Sequence, residues 1–293
     1  MEETNKPWEK SLIYGKPKLI RKQNKIKNNL DKYISARILG RLGNQMFEVA
    51  TTYSLALDYN TNIQFSLENG IYNAINGESA PPTRYRNNIF RHLKFVDKLE
   101  NYDTWKEKSY EYEQIRYDFS KNLLINGYFQ NERYFKHNRD LILDLYKPTE
   151  DITNHITEKY GHLLTKSVSV HIRRGDRTQF TNYMPICNVD YYKKSLLQFP
   201  DVENIIILTD DKEWTKRVFV DKKFHIIDNE PDYIDLYIMT MCENNIIANS
   251  TFSWWGAWLN RNKNKTVIAP KHWYNDDVDY NINELIPKGW LLL

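Results

Sequence analysis

The residues of this 293-residue chain best suited to chemistry gather just after short apolar runs. The stretch 168–176 is a β-branched strand that delivers His171, Arg173, Arg174 and Asp176 to its carboxyl end, where open α/β sheets place their ligands. Two adjacent guanidinium groups there point to an anion. Arginine keeps its charge at any physiological pH and its planar donor fork matches phosphate oxygens, so the pair suits a diphosphate; the bland alternative is a surface salt bridge. His171 suits contact with a base or ribose, or a purely structural place.

Three further polar clusters follow the same rule. Gly40, Arg41, Gly43, Asn44 and Gln45 form a turn between an apolar run and a helical pattern; glycine permits left-handed backbone and close approach of a ligand to the helix start. The spacing lacks the third glycine of a dinucleotide fingerprint, which disfavours a nicotinamide cofactor. Asn44 and Gln45 suit either a helix cap or a ligand contact. Thr209, Asp210 and Asp211 follow the run 205–208, and a carboxylate there suits a ribose diol, a guanine edge or a helix N-cap. Adjacent aspartates diverge in extended chain, and no His/Cys/Glu cluster has ligand spacing, so no metal is expected. Asn249, Ser250, Thr251, Phe252 and Ser253 open a tryptophan-dense helix and offer a second anion cradle. The spacing of Trp254, Trp255 and Trp258 is that of a buried helical face rather than a sugar platform.

These clusters need a scaffold of alternating strands and helices. In the first half, a strand over 33–39, a helix through Met46, Ala50, Tyr53 and Leu57, a strand over 61–65, a strand over 123–128 and a helix over 132–146 are predicted. Residues 69–120 carry no sustained period and read as loops and short helices that shape an acceptor surface. A helix over 151–164 leads into a clearer alternation: strands over 167–172, 204–208, 224–227, 245–248 and 266–269, helices over 191–199, near Trp214, and over 233–243 and 252–260. Such βαβ alternation builds parallel sheets with helices on both faces.

Bulk composition bounds the partners. Net charge is +3, but residues 1–33 hold nine Lys/Arg against four Asp/Glu, leaving −2 on the rest, so the body is not a nucleic-acid binder. Residues 1–32 read as a basic arm. Two cysteines, Cys187 and Cys242, are too few for a disulfide framework, and no apolar run spans a bilayer, so a soluble, cytoplasmic protein with no stable membrane span is expected. The sequons at Asn249 and Asn264 are taken as accidental. The sequence carries no signal for an oligomeric state.

Together the four clusters resemble the α-1,2-fucosyltransferases of glycosyltransferase family 11. The resemblance runs through 40–46, 171–176, 209–211 and 249–258, and covers residues 35 to about 270. It implies an α/β, GT-B architecture: two Rossmann-like domains with parallel sheets facing a central cleft, here 33–162 on the acceptor side and 163–293 on the nucleotide-sugar side. It also implies an inverting enzyme using GDP-L-fucose and a glycan acceptor, with no cofactor and no metal. By carry-over, Arg173 grips the β-phosphate, Arg174 supports it, and His171 and Asp210 touch the guanosine, with Thr209 beside them. Asn249, Thr251, Phe252 and Ser253 line the phosphate pocket. Asn44 reaches the reaction centre, and Gly40, Arg41, Gly43 and Gln45 belong to the acceptor side.

The chemistry agrees with that pattern. Sugar transfer builds positive charge on the ring and negative charge on the departing diphosphate, so donors aimed at those oxygens lower the barrier. Asp176 and Glu48 are candidates for the base that takes the acceptor proton, although a strongly dissociative reaction needs none. Other readings are a different 6-deoxy-L-hexose donor such as an L-rhamnose nucleotide, a noncatalytic glycan or nucleotide binder, and a nucleic-acid contact confined to residues 1–33.

Overall fold

The computed structural model describes residues 29–66, 81–179, 181, 184–275 and 277–293. Most of the predicted basic arm lies outside the described residues, and its last four positions instead begin a strand. The described residues divide into two compact units, one holding 29–147 together with Asn283–Leu285, the other holding Pro148–Ile282 and Ile286–Leu293. The division therefore falls earlier than the expected 162/163. Its cause is helix α3 (Glu150–Tyr160), whose Lys159, Tyr160 and His155 side chains all bond Glu230, at 2.7, 2.9 and 3.0 Å, and so tie the helix to the C-terminal unit.

The N-terminal unit is built on a parallel sheet of β1 (Asn29–Ala36), β2 (Thr61–Ile63), β5 (Tyr102–Lys106) and β6 (Asn122–Asn126), in the order β2-β1-β6-β5. A small parallel pair, β3 (Phe65–Ser66) and β4 (Phe95–Val96), stands apart. Helix α1 (Leu42–Tyr59) follows β1 and buries Met46, Phe47, Val49 and Ala50, with the Tyr146 hydroxyl donating to the Met46 carbonyl at 2.7 Å. The expected helix over 132–146 is instead two 3-10 turns, Glu132–Tyr134 and Lys136–Asn138, and then α2 (Arg139–Leu145). Phe135 leaves helical geometry (φ −142°), and its ring sits in the core 5.9 Å from Phe47. Glu284 returns to this unit from the end of the chain. Its carboxylate accepts from the amide nitrogens of Asn131 and Tyr112 and pairs with Arg133.

The C-terminal unit carries six parallel strands: β7 (Ser167–Ile172), β8 (Asn204–Thr209), β9 (Phe224–Ile226), β10 (Asn244–Ile246), β11 (Val267–Ala269) and β12 (Leu291–Leu292). Their order is β12-β11-β10-β7-β8-β9, the doubly wound arrangement, with the direction of winding reversing between β7 and β10. Strand periodicity sets the core: Val168, Val170 and Ile172 meet Ile205, Ile207, Ile246 and Ile268 on one face, each such buried side chain contributing about 1.5–3 kcal/mol. The alternate residues Ser169 and His171 face the other way. There Asn245 donates to Ser169 at 2.7 Å and to the Met239 carbonyl at 2.8 Å.

Helices α4 (Val189–Leu196), α5 (Lys212–Val218), α6 (Asp232–Met241) and α7 (Thr251–Leu259) connect these strands, and α8 (Ile282–Leu285) lies near the end of the chain. Trp254, Trp255 and Trp258 are buried core, as their spacing predicts, with Trp254 and Trp258 stacked at 6.0 Å. Gly256 lets α7 close on α6, since a Cβ there would stand 2.8 Å from that of Met239. Cys187 and Cys242 are buried free thiols. Among the described residues, no helix is long and apolar enough to cross a membrane.

Candidate active site

In doubly wound sheets a crevice lies beyond the carboxyl ends of the two strands where winding reverses, here β7 and β10, and both predicted anion clusters follow those strands. After β7 the chain turns sharply through Arg173, Arg174 and Gly175 into a 3-10 turn, Asp176–Gln179. Asp210 braces this turn: its Oδ1 accepts the backbone N–H groups of Arg174 (2.8 Å) and Gly175 (3.1 Å), and its Oδ2 accepts from Arg173 Nη1. A Cβ on Gly175 would stand 2.7 Å from Asp210 Oδ2, so the close approach depends on glycine. Arg173 Nη2 also meets Asp176, in line with neither group being free.

Arg174 is held differently. Its Nε reaches Asp211 at 3.3 Å, and its guanidinium lies 4.0 Å from the centre of the Trp214 ring. Asp211 is a helix cap, its carboxylate accepting the Trp214 N–H at 3.1 Å at the start of α5. Thr209 completes that turn by accepting the Asp211 N–H at 3.0 Å. Of the readings open for this pair, Asp211 takes the cap and Asp210 the loop brace.

His171 is buried with its ring 5.5 Å from Phe252, and burial drives its pKa down to about 3, so it is neutral. Its Nδ1 has no hydrogen-bond partner among the described residues. Across the crevice, α7 starts at Ser250 with no side-chain cap, leaving first-turn amides such as those of Phe252 and Ser253 without intrahelical acceptors. The Ser253 hydroxyl points inward, to the Ser250 carbonyl at 3.2 Å. Asn249 is fully buried, and its amide donates to the Pro185 and Trp273 carbonyls at 2.7 and 3.0 Å. It therefore shapes the loop, with both amide hydrogens committed.

In the N-terminal unit the glycine turn behaves as its composition predicts. Gly40 has φ +66°, and Gln45 reaches back to donate to its carbonyl at 2.9 Å. Arg41 is the α1 N-cap residue, Gly43 is buried in the first turn, and Asn44 Oδ1 accepts from Gln130 at 3.1 Å, joining the ends of β1 and β6. Glu48 is a poor base here. It is fully buried, its Oε2 accepts the Leu39 N–H at 2.8 Å, and burial holds its pKa well above the usual carboxylate range.

The family model described as Glycosyl transferase family 11 matches residues 4–293. The chain belongs to that family. Family 11 membership makes it a glycosyltransferase. It is 31% identical to the O-antigen biosynthesis glycosyltransferase WbnK of Escherichia coli, over 87% of this chain and 98% of that one. It is 28% identical to an α-1,2-colitosyltransferase of Escherichia coli, over 88% and 98% of the two chains. The crystal structure of the fucosyltransferase NodZ from Bradyrhizobium shares the fold at a TM-score of 0.51, with 12% identity over 77% of this chain and 92% of that one. The fold class is thus the expected α/β, GT-B class, with parallel sheets in both Rossmann-like units.

Three polar residues of this family 11 chain escape a motif reading. Arg177 sits one position beyond the motif, and its buried Nη1 has no hydrogen-bond partner among the described residues. Asp235, in the first turn of α6, has a buried Oδ1 without a partner among the described residues, and burial with nearby Asp232 and Glu230 lifts its pKa to about 7. Glu107, beyond β5, accepts the N–H groups of Tyr128 (2.7 Å) and Phe129 (3.0 Å), and burial raises its pKa. A cleft of about 510 Å³, open mouth included, lies at the far end of α1 among Asp58, Tyr59, Tyr112, Tyr134 and His137. No predicted site residue lines it, and its polar groups bond one another: Asp58 to His137 at 2.8 Å, and Tyr59 to the Ile115 carbonyl at 3.2 Å.

Proposed function

We propose that this chain transfers L-fucose from GDP-L-fucose to a galactose hydroxyl of a glycan, forming an α-1,2 linkage with inversion and without a metal. The observation that carries the reading is the crevice between β7 and β10. It sets arginine side chains and an enclosed neutral histidine on one wall and an uncapped helix start on the other, which is a setting for a nucleoside diphosphate.

In the reaction the acceptor oxygen bonds to C1 of the sugar while the C1–O bond to the β-phosphate breaks and its electron pair leaves with GDP. Arg173 and Arg174, with the first-turn amides of α7, stabilise the charge that grows on the diphosphate; losing one such donor lowers turnover by about 100- to 1,000-fold. Asp210 is committed to the Arg173 turn, so the guanine edge, with its adjacent N–H donors, is better matched by Asp235. Asn44, steadied by Gln130, serves the acceptor end. Asp176 orients Arg173, and the acceptor proton passes to solvent late in a dissociative reaction.

A second donor has a specific observation behind it, the 28% identity to a transferase named for colitose. Colitose is fucose without its 3-hydroxyl, and a site built to bond a hydroxyl rejects the sugar lacking it far more strongly than the reverse. Product analysis by NMR, with GDP-fucose and GDP-colitose offered separately to galactose-terminated glycans in EDTA, tests every part of this. The expected product from GDP-fucose is an α-1,2-linked fucoside. A product from GDP-colitose alone transfers the assignment to that sugar, and silence with both in EDTA but not with magnesium overturns metal independence.

A further inference from the structure

The two motif arginines are not the unsatisfied cations of this site. Arg173 touches two carboxylates, Asp176 and Asp210, through its two terminal nitrogens. Arg174 pairs with Asp211 and stacks on Trp214. Arg177 pairs with no carboxylate among the described residues. Three guanidinium groups and three carboxylates balance in number here, but not in contact.

We infer that Arg177 supplies a further, enclosed guanidinium N–H to the donor diphosphate, beside Arg173 and Arg174. Several observations converge. Arg177 lies on the 3-10 turn that leaves β7, beside the crevice, and its Nη1 is enclosed without an acceptor among the described residues. A buried N–H donor left without an acceptor is unfavourable, because the interior does not replace the water it loses. Burial, and then the like charge of Arg173, lower its pKa to about 10, which still leaves it protonated at neutral pH. The groups around it repeat the pattern. Arg173 and Arg177 both lower the pKa of His171, whose Nδ1 also lacks a partner among the described residues. Cys187, which also bears on Arg177, contacts Asn249 at 3.7 Å, just before the uncapped start of α7. An anion bonded to Arg177 at the mouth of this crevice would relieve the repulsion between the two arginines. A diphosphate, with oxygens on two phosphorus atoms, has the charge and reach to do so.

The inference rests on the nucleotide-donor reading above, and one set of titrations separates the two. GDP, guanosine and inorganic pyrophosphate are titrated calorimetrically into the full chain and its Arg177→Gln and Arg177→Lys variants, with thermal unfolding followed in parallel. For Arg177→Gln, GDP and pyrophosphate affinity should fall about 10- to 150-fold, the value of a hydrogen bond to a charged group, while guanosine binding stays within about twofold. Free Arg177→Gln should unfold no lower than the parent, because the lost Nη1 had no acceptor among the described residues, yet gain less stability from added GDP. Arg177→Lys keeps the charge and should keep most of the preference for GDP over guanosine. Equal weakening of GDP and guanosine, or none, would assign Arg177 a structural role and overturn the inference with the donor reading intact. A parent chain that binds none of the three ligands overturns the donor reading itself. Should Arg177→Gln fail to fold, Arg177→Lys decides: loss of its preference for GDP over guanosine counts against the inference, and retention supports it.

Discussion

Replacing Asp210 with asparagine separates a brace from a ligand contact. In the structure Oδ1 holds the backbone of Arg174 and Gly175 at 2.8 and 3.1 Å, while Oδ2 faces Arg173. The asparagine side chain would keep the first two bonds and turn an amide N–H toward the guanidinium, removing one charge-assisted bond and setting donor against donor. A hydrogen bond to a charged group contributes about 1.5–3 kcal/mol, and partial exposure of the pair favours the lower part of that range, about 1.5–2 kcal/mol. For a chain of this size that corresponds to a fall of roughly 3–8 °C in Tm, measured without nucleotide by circular dichroism. GDP affinity should fall alongside it, because the turn carrying Arg173, Arg174 and Arg177 loosens. An Asp210→Asn protein with the parental Tm but weakened GDP binding would refute the brace and restore Asp210 as a direct guanosine contact.

Asp235 makes stability depend on pH in an unusual sense. Its folded pKa, about 7, lies above the ordinary carboxylate value of 3.8, so the folded state holds a proton that the unfolded state has lost, and stability falls as pH rises between those values. Urea unfolding from pH 4 to 8 should show Asp235→Asn gaining on the parent, by up to about 4 kcal/mol at the top of that window; parallel curves would dismiss the shift. Glu48→Gln should leave the pH profile of kcat unchanged, because the Glu48 side chain is fully buried and occupied by the Leu39 N–H. A lost alkaline or acid limb in that profile would make Glu48 the base after all. Gly40→Ala forces a side chain into left-handed backbone with its Cβ 2.7 Å from Asn44 Nδ2, so a loss of about 1–2 kcal/mol and a drop in kcat are expected from unfolding and steady-state assays.

The sequence made the C-terminal unit legible because its strands are buried on both faces and read as continuous apolar runs. The β7 boundaries match the prediction residue for residue, and those of β8 differ by one. In the other unit β5 escaped, since an edge strand with an exposed, aromatic-polar sequence has no apolar period to detect. The 132–146 helix was over-read for the opposite reason: its apolar residues suit a helix, but Phe135 turns its backbone out of the helix and buries its ring. Site residues followed the same logic. Motif residues at strand ends were visible by type and spacing, whereas Arg177 and Asp235 differ from any surface Arg or Asp only through enclosure. Enclosure is a property of the fold.

The return of Glu284 to the N-terminal unit has a practical corollary. Three residues near the chain's end, Asn283–Leu285, are a structural part of the half encoded first, clasping Tyr112, Asn131 and Arg133. A chimera that exchanges the N-terminal unit between relatives must graft this clasp as well as the described segment that ends at Lys147. Trimming the last eleven residues would strip the N-terminal unit of this fastening as well as shorten the other.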